Sequence, residues 1–320
     1  MKQGYLFVHF KEKKTPDGEQ VYFGLSSDGF NWRALNGGLP VLWSFKGDLG
    51  VRDMTVLRAK DGIYRIFATD LSLAYGMPGK YKNSWAEIVR HGSKSLMSWA
   101  SKDLIHWDRQ TRVTFPGAQF GCLWAPDILY DAKDDSYLLH WSSTSAGREE
   151  EGHAIWYSRT RDFETWSEPL ILYQKPGNIS IIDSAMYEEG GRYYLFIKST
   201  RDPDGVTLLV GDHITGPFTP HPGFAMIPEL TDARHYEAPT AFRLEDGRWC
   251  LLVDYFGVPG KGQGYVPFLA DSLSDGRFTR ATATESFSFP YGFKHGTALT
   301  LTAAEYDRLN KAGEFPELGG

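Results

Sequence analysis

Two cysteines in 320 residues are too few for a disulfide framework, and neither Cys122 nor Cys250 has neighbours at a metal-binding spacing. No disulfide is expected between them. No apolar run is long enough to span a bilayer. There is also no block of basic residues. With 34 Lys and Arg against 40 Asp and Glu, the net charge is −6, which argues against nucleic acid or an anionic membrane as a partner. The start, Met1-Lys2-Gln3-Gly4-Tyr5, lacks the apolar core and cleavage site of a signal peptide, so a cytoplasmic location is expected. What the chain does have is 15% aromatic residues, 34 Gly and 17 Pro, a composition suited to many short strands joined by tight turns.

Five stretches align as one repeating unit, each with a polar leader just before an apolar run. They are Arg52-Asp53-Met54-Thr55-Val56-Leu57, Ala125-Pro126-Asp127-Ile128-Leu129-Tyr130, Ile182-Asp183-Ser184-Ala185-Met186-Tyr187, Tyr236-Glu237-Ala238-Pro239-Thr240-Ala241-Phe242 and His295-Gly296-Thr297-Ala298-Leu299-Thr300-Leu301. The leaders are 74, 56, 54 and 58 residues apart, the period of a propeller blade rather than of a solenoid turn. Such an alignment puts four carboxylates and a histidine at equivalent places around one axis.

Each leader except the last is followed by a second strand-like run and a third. The third ends in Ser/Thr-x-Asp-x-x-x-Trp at Asp28–Trp32, Asp103–Trp107 and Asp162–Trp166, and in weaker forms at Asp212–Phe218 and Asp271–Phe278. The aspartate is expected to fix a turn and the aromatic residue to pack between blades. The first 32 residues supply a second and a third run with no leader, while the His295 segment is a leader followed only by a helical or irregular tail (303–320). The two ends therefore share a blade. The expected fold is all-β, a five-bladed β-propeller over residues 1–320 as one domain, with the N-terminal strands pairing with the C-terminal inner strand.

If each blade begins with its innermost strand, the leaders sit at one mouth of the channel and the second-to-third connections overhang it. The longest of these, Thr69 to His91, contains Tyr75, Tyr81 and Trp85 and would wall one side of the mouth. Glycosidic bonds break through an oxocarbenium-like state served by two carboxyl groups, one donating a proton and the other activating water or attacking. A third carboxylate can raise the pKa of the acid by like-charge repulsion. Asp53, Asp183 and Glu237 supply such a set.

On these motifs the chain resembles glycoside hydrolase family 43, a family of inverting five-bladed enzymes acting on arabinose- and xylose-containing glycans. Arg52-Asp53 is similar to its general-base motif, although Met54 stands where proline is usual. Ile182-Asp183-Ser184 is similar to its modulator motif and Tyr236-Glu237-Ala238-Pro239 to its general-acid motif; Trp124-Ala125-Pro126-Asp127 matches a further pattern. The resemblance implies Asp53 as base, Asp183 as pKa modulator and Glu237 as acid. It also implies a hydrated calcium or similar ion on the axis beside His295, with no cofactor required for the chemistry.

Asp127, Trp124, Trp43, Phe256, Arg234 and His235 are candidates for binding sugar; for each, blade packing or a solvated surface is the competing reading. The expected activity is exo-acting removal of α-L-arabinofuranosyl or β-D-xylosyl groups from small oligosaccharides. The alternatives are a non-catalytic sugar-binding propeller, or a glycosidase or phosphorylase acting on galactose or fructose.

Overall fold

In the computed structural model, which describes residues 4–117, 119–257, 264–282, 287–290, 292–312 and 315–316, each aligned segment forms the first strand of a four-stranded antiparallel sheet. The inner strands are Val51–Arg58 (blade I), Trp124–Asp131 (blade II), Ile181–Glu189 (blade III), Tyr236–Arg243 (blade IV) and Phe293–Leu301 (blade V). Each inner strand packs against the next, I to II through V and back to I, so the ring is closed. The closure is made in blade V, where Phe293–Leu301 pairs with Gly4–Lys11 from the other end of the chain. Pairing the termini within one sheet removes the free edge that an open ring would expose.

Alternation along the strands sends aromatic and aliphatic side chains into five cores, one between each pair of neighbouring blades. Trp99 and Trp141 are fully buried there, and each such side chain contributes on the order of 2–3 kcal/mol by leaving water. The Asp-x-x-x-Trp turns do what their chemistry predicts. Asp103 Oδ1 accepts from the backbone N–H of Ile105 (2.9 Å) and His106 (2.8 Å), and Ser101 Oγ accepts from Leu104 (2.9 Å). Asp28 and Asp162 make the same turn. The aromatic residue that follows crosses to the neighbouring blade, as when Trp32 meets Phe242, Trp107 meets Phe23 and Trp166 meets Phe67.

The 74-residue first step has a plain cause. Between the second and third strands of blade I lies an insertion that ends in helix α1 (Trp85–His91). Helix α2 (Pro228–Thr231) precedes blade IV, and α3 (Ala303–Lys311) follows the last strand with a Thr302/Glu305 capping box. The tail is less irregular than its composition suggests, because Phe315 folds back edge-on to Phe23; residues 313–314 and 317–320 lie outside the described residues. Cys122 and Cys250 are buried and are not joined in a disulfide. Among the described residues no helix is long and apolar enough to cross a membrane, which says nothing of strands.

Candidate active site

Every inner strand carries a β-bulge at the same rung. Two inner residues face one residue of the second strand between Arg52 and Thr55, Trp124 and Asp127, Ile182 and Ala185, Glu237 and Thr240, and Lys294 and Thr297. In four blades the first bulge residue has positive φ: Asp53 (51°), Ala125 (48°), Asp183 (55°) and Ala238 (49°). Aspartate tolerates this region better than most residues, and a bulge re-aims the side chain it carries.

The bulges correct the alignment of the leaders. Asp53, Asp183 and His295 do occupy one tier, the first bulge position. Glu237 stands one residue earlier, in line with Arg52, Trp124, Ile182 and Lys294. Asp127 stands beyond the bulge, in line with Thr55, Ala185, Thr240 and Thr297. The apolar run after each leader starts at a variable distance from the bulge, so aligning on that run slides the polar residues by one or two places.

The freed N–H groups at the bulges of blades II, III and IV are caught by side chains of the preceding blade. Thr69 Oγ1 of blade I accepts from Ala125 N (2.8 Å) and donates to Asp53 Oδ2 (3.0 Å). Ser142 Oγ of blade II accepts from Asp183 N (3.1 Å), and Asp183 Oδ2 accepts from Ala238 N (3.2 Å). The backbone immediately after Glu237 is thus held by Asp183.

His295 joins the other two members of its tier. Its Nδ1 lies 3.2 Å from Asp53 Oδ1 and 3.9 Å from Asp183 Oδ1. Burial opposes charge on the ring, but Asp183, Asp53 and Glu237 outweigh it and hold the imidazole pKa up at about 9. Asp53 feels burial in the opposite sense; His295, Arg52 and Thr69 overcome it and keep the carboxyl below its ordinary range. For Asp183 burial wins. With the charges of Glu237 and Asp53 added, and against the pull of His295, its pKa is pushed up to about 7. Neighbouring carboxylates are therefore driven apart, one ionised and one near neutrality, a separation that acid–base sites use.

The axial ion implied by the family resemblance does not suit these residues. Nδ1 of His295 faces two carboxylates whose charge favours the protonated ring, so a cation placed beside it would compete with that charge. Among the described residues no group of three or more His, Cys, Asp or Glu side chains is placed to hold a metal ion.

Asp127 is enclosed by structural partners. Its Oδ1 accepts from Thr55 Oγ1 of blade I (2.8 Å) and its Oδ2 from Met186 N of blade III (2.9 Å), so it stitches three blades together. Trp124 faces the mouth, stacked on His153 at 4.9 Å and edge-on to Trp85 at 6.3 Å. Arg234, His235 and Phe256 gather at the entrance to blade IV. There the exposed Arg234 donates to His235 Nε2 (3.3 Å), and the His235 ring packs on Phe256 at 5.6 Å. Residues 258–263 of the connection after Phe256 lie outside the described residues. Trp43 is half-exposed on the segment that leads into blade I, where Gln20 Oε1 accepts from Ser44 N (2.7 Å).

Reading the sequence missed the ionic network beside Glu237. The Lys294 side chain is 3% exposed, and its Nζ lies 2.9 Å from Asp254 Oδ2, 3.5 Å from Glu237 Oε1 and 3.7 Å from Glu12 Oε2. Asp254 is the cross-strand partner of Glu237, and burial pushes its pKa up to about 6 despite Lys294. On the other side Arg52 bridges Glu19 (3.0 Å) and Glu12 (3.6 Å). The available signal was position: Lys294 and Arg52 each immediately precede a leader.

Comparison with known proteins bears on the fold and the family. A curated α-L-arabinofuranosidase of Bifidobacterium longum subsp. longum is 29% identical over 233 residues, covering 66% of this chain and 20% of the relative, so the chain spans about a fifth of that protein's length. Among solved structures, a family 43 β-1,3-galactosidase with bound galactodeoxynojirimycin superposes with a TM-score of 0.58 at 14% identity, covering 87% of this chain and 90% of the other. The α-L-arabinofuranosidase of Podospora anserina in complex with cellotriose superposes at 0.52 with 18% identity over 74% of this chain and 69% of its own. At these identities the likeness is one of fold. The model of the family 43-related family described as "Probable glycosyl hydrolase domain" matches residues 1–307, and the chain belongs to that family of glycoside hydrolases.

Proposed function

We propose that the protein is an exo-acting, inverting glycoside hydrolase that removes α-L-arabinofuranosyl or β-D-xylosyl units from small oligosaccharides. The observation that carries this reading is the position of Asp183. One of its oxygens faces His295, which also contacts Asp53, and the other holds the backbone N–H that follows Glu237. One buried carboxyl thus sets the relative placement of the two others.

In this reading Asp53, kept ionised, takes a proton from the attacking water, and Glu237 gives a proton to the departing oxygen. Asp183 holds the backbone N–H that follows Glu237 and so fixes the acid's position relative to Asp53. His295 supplies the positive charge at the axis, so the chemistry proceeds without a cofactor. Trp124 and the Arg234–His235–Phe256 group border the sugar, while Trp43 and Asp127 lie farther from the reacting bond. The arabinose preference is supported by the Bifidobacterium relative, and two buried cysteines outside any disulfide suit a reducing, cytoplasmic setting.

The test is hydrolysis of aryl α-L-arabinofuranoside, β-D-xyloside and β-D-galactoside by the wild type and by Glu237→Gln, with NMR identifying the anomer released first. Activity on the first or second substrate with inversion, lost by several orders of magnitude in the variant on an unactivated oligosaccharide, supports the assignment. Cleavage of the galactoside alone would move the specificity toward the galactosidase neighbour. Retention of configuration would overturn the role given to Asp53.

A further inference from the structure

The insertion of blade I is built as a rigid support. Glu19 accepts from the N–H of Leu73, and Asp48 accepts from Lys80 Nζ (2.8 Å) and from the hydroxyl of the fully buried Tyr81. The far end is tied to blade II. Thr144 Oγ1 donates to Val89 O (3.3 Å), and Gly121 lies so close to that carbonyl that a Cβ there would collide with it. Asp70, at the base of the insertion, accepts from Ser93 Oγ. Five anchors on about twenty-five residues fix α1, and Trp85 is its first residue.

Trp85 is 49% exposed, whereas Trp32, Trp99, Trp107, Trp141 and Trp249 are all at or below 8%. One edge of the indole is braced perpendicular to Trp124 (88°), and the Arg52 guanidinium lies 5.9 Å from its ring centre. Arg52 precedes Asp53 in the chain, and Trp124 shares the mouth tier with Glu237. A large apolar face is thus held in water, on a clamped element, beside Arg52 and Trp124 at the mouth. Leaving so much indole unburied forgoes stabilisation that burial would provide, and rigid presentation lowers the entropic cost of binding a ring against it.

Resting on the glycosidase reading, we propose that Trp85 is the platform for the sugar on the leaving-group side of the cleaved bond. The sugar that is released must lie between Asp53 and Asp183 of the bulge tier and Glu237, one step nearer the mouth. Trp85 stands above that tier on the connection overhanging the mouth, so the ring stacked on it belongs to the next unit of an oligosaccharide. The C–H face of that unit meets the indole, and its hydroxyls meet solvent and Arg52.

The experiment compares the wild type, Trp85→Ala and Trp85→Phe on two substrates: xylobiose carrying one α-L-arabinofuranosyl unit, and α-L-arabinofuranosyl fluoride, whose leaving group is too small to reach the platform. Trp85→Ala is expected to raise KM for the oligosaccharide by roughly tenfold, to leave kcat/KM for the fluoride within about twofold, and to be largely rescued by phenylalanine. Equal losses on both substrates, or none on the oligosaccharide, would overturn the proposal. Binding of the same oligosaccharide to Glu237→Gln, followed by tryptophan fluorescence with and without Trp85→Ala, separates the platform from the chemistry. If the wild type cleaves neither substrate, the glycosidase reading fails. The leaving-group assignment falls with it, and a roughly tenfold loss of binding on adding Trp85→Ala would then show a sugar platform only, whereas unchanged or absent binding would remove that too.

Discussion

Replacing His295 with glutamine tests the charge at the centre of the site. The imidazole faces two carboxylates at 3.2 and 3.9 Å, and at an effective dielectric near 20 each pair is worth on the order of 4–5 kcal/mol before desolvation. Burial takes part of that back. What remains is the rise of the histidine pKa from 6.5 to about 9, which at about 1.4 kcal/mol per unit is roughly 3 kcal/mol. Because the folded protein favours the charged ring, this contribution is whole below pH 6.5 and is lost as pH rises through 9. His295→Gln should therefore unfold at lower urea than the wild type by an amount equivalent to roughly 3 kcal/mol near pH 6.5, with the gap narrowing by pH 9.5. Asp53 would also lose the partner that does most to lower its pKa, so the acid limb of kcat/KM should move to higher pH. A stability gap that stays constant with pH, together with an unmoved acid limb, would refute the reasoning and leave His295 as a neutral spacer.

Two further perturbations follow from buried charge and turn geometry. Lys294→Met strips the counter-ion from Asp254, which is fully buried, and should cost about 3–5 kcal/mol by chemical denaturation. Adding Asp254→Asn should recover much of that loss, whereas a double variant as unstable as the sum of the two singles would show that the pair does not interact. Asp103→Ala removes a carboxylate that accepts two backbone N–H groups and should destabilise by about 1–3 kcal/mol at pH 7. Hydrogen bonding overcomes burial to lower the pKa of Asp103 to about 2, so its advantage is present above pH 4 and disappears as pH falls through 2. The wild type and the variant should therefore converge in acid, and parallel acid-denaturation curves would count against the turn's role.

The parts of the fold that could be read in advance are those whose physics is local. An Asp-x-x-x-Trp turn closes over five residues, and a strand declares itself by its own alternation, so the blade period and the missing outer strands at the C-terminus were visible without knowing any partner. The insertion that stretches the first step from the blade period to 74 residues was visible as length, but its clamps to Glu19, Asp48 and Thr144 were not, since each joins residues far apart in the chain. The bulge is the instructive case. A bulge is a property of two strands together: it exists because Ala68 faces both Asp53 and Met54, and nothing in Arg52-Asp53-Met54-Thr55 alone announces it. Once the register is known, the tiers separate roles that an alignment on apolar runs had merged. Asp53, Asp183 and His295 form one ring of interacting charge, Glu237 stands a step closer to the mouth, and Asp127 a step deeper, where its partners are structural. The same register explains why Lys294 matters. It occupies the tier of Glu237 in the adjacent blade, and in a closed ring adjacent positions of one tier are neighbours in space, so a lysine there has to find the acid or be neutralised before it does. Here it does both, meeting Glu237 at 3.5 Å and Asp254 at 2.9 Å. Asp254, opposite Glu237 on the next strand, is the nearer of the two carboxylates and so takes the larger share of the lysine's charge.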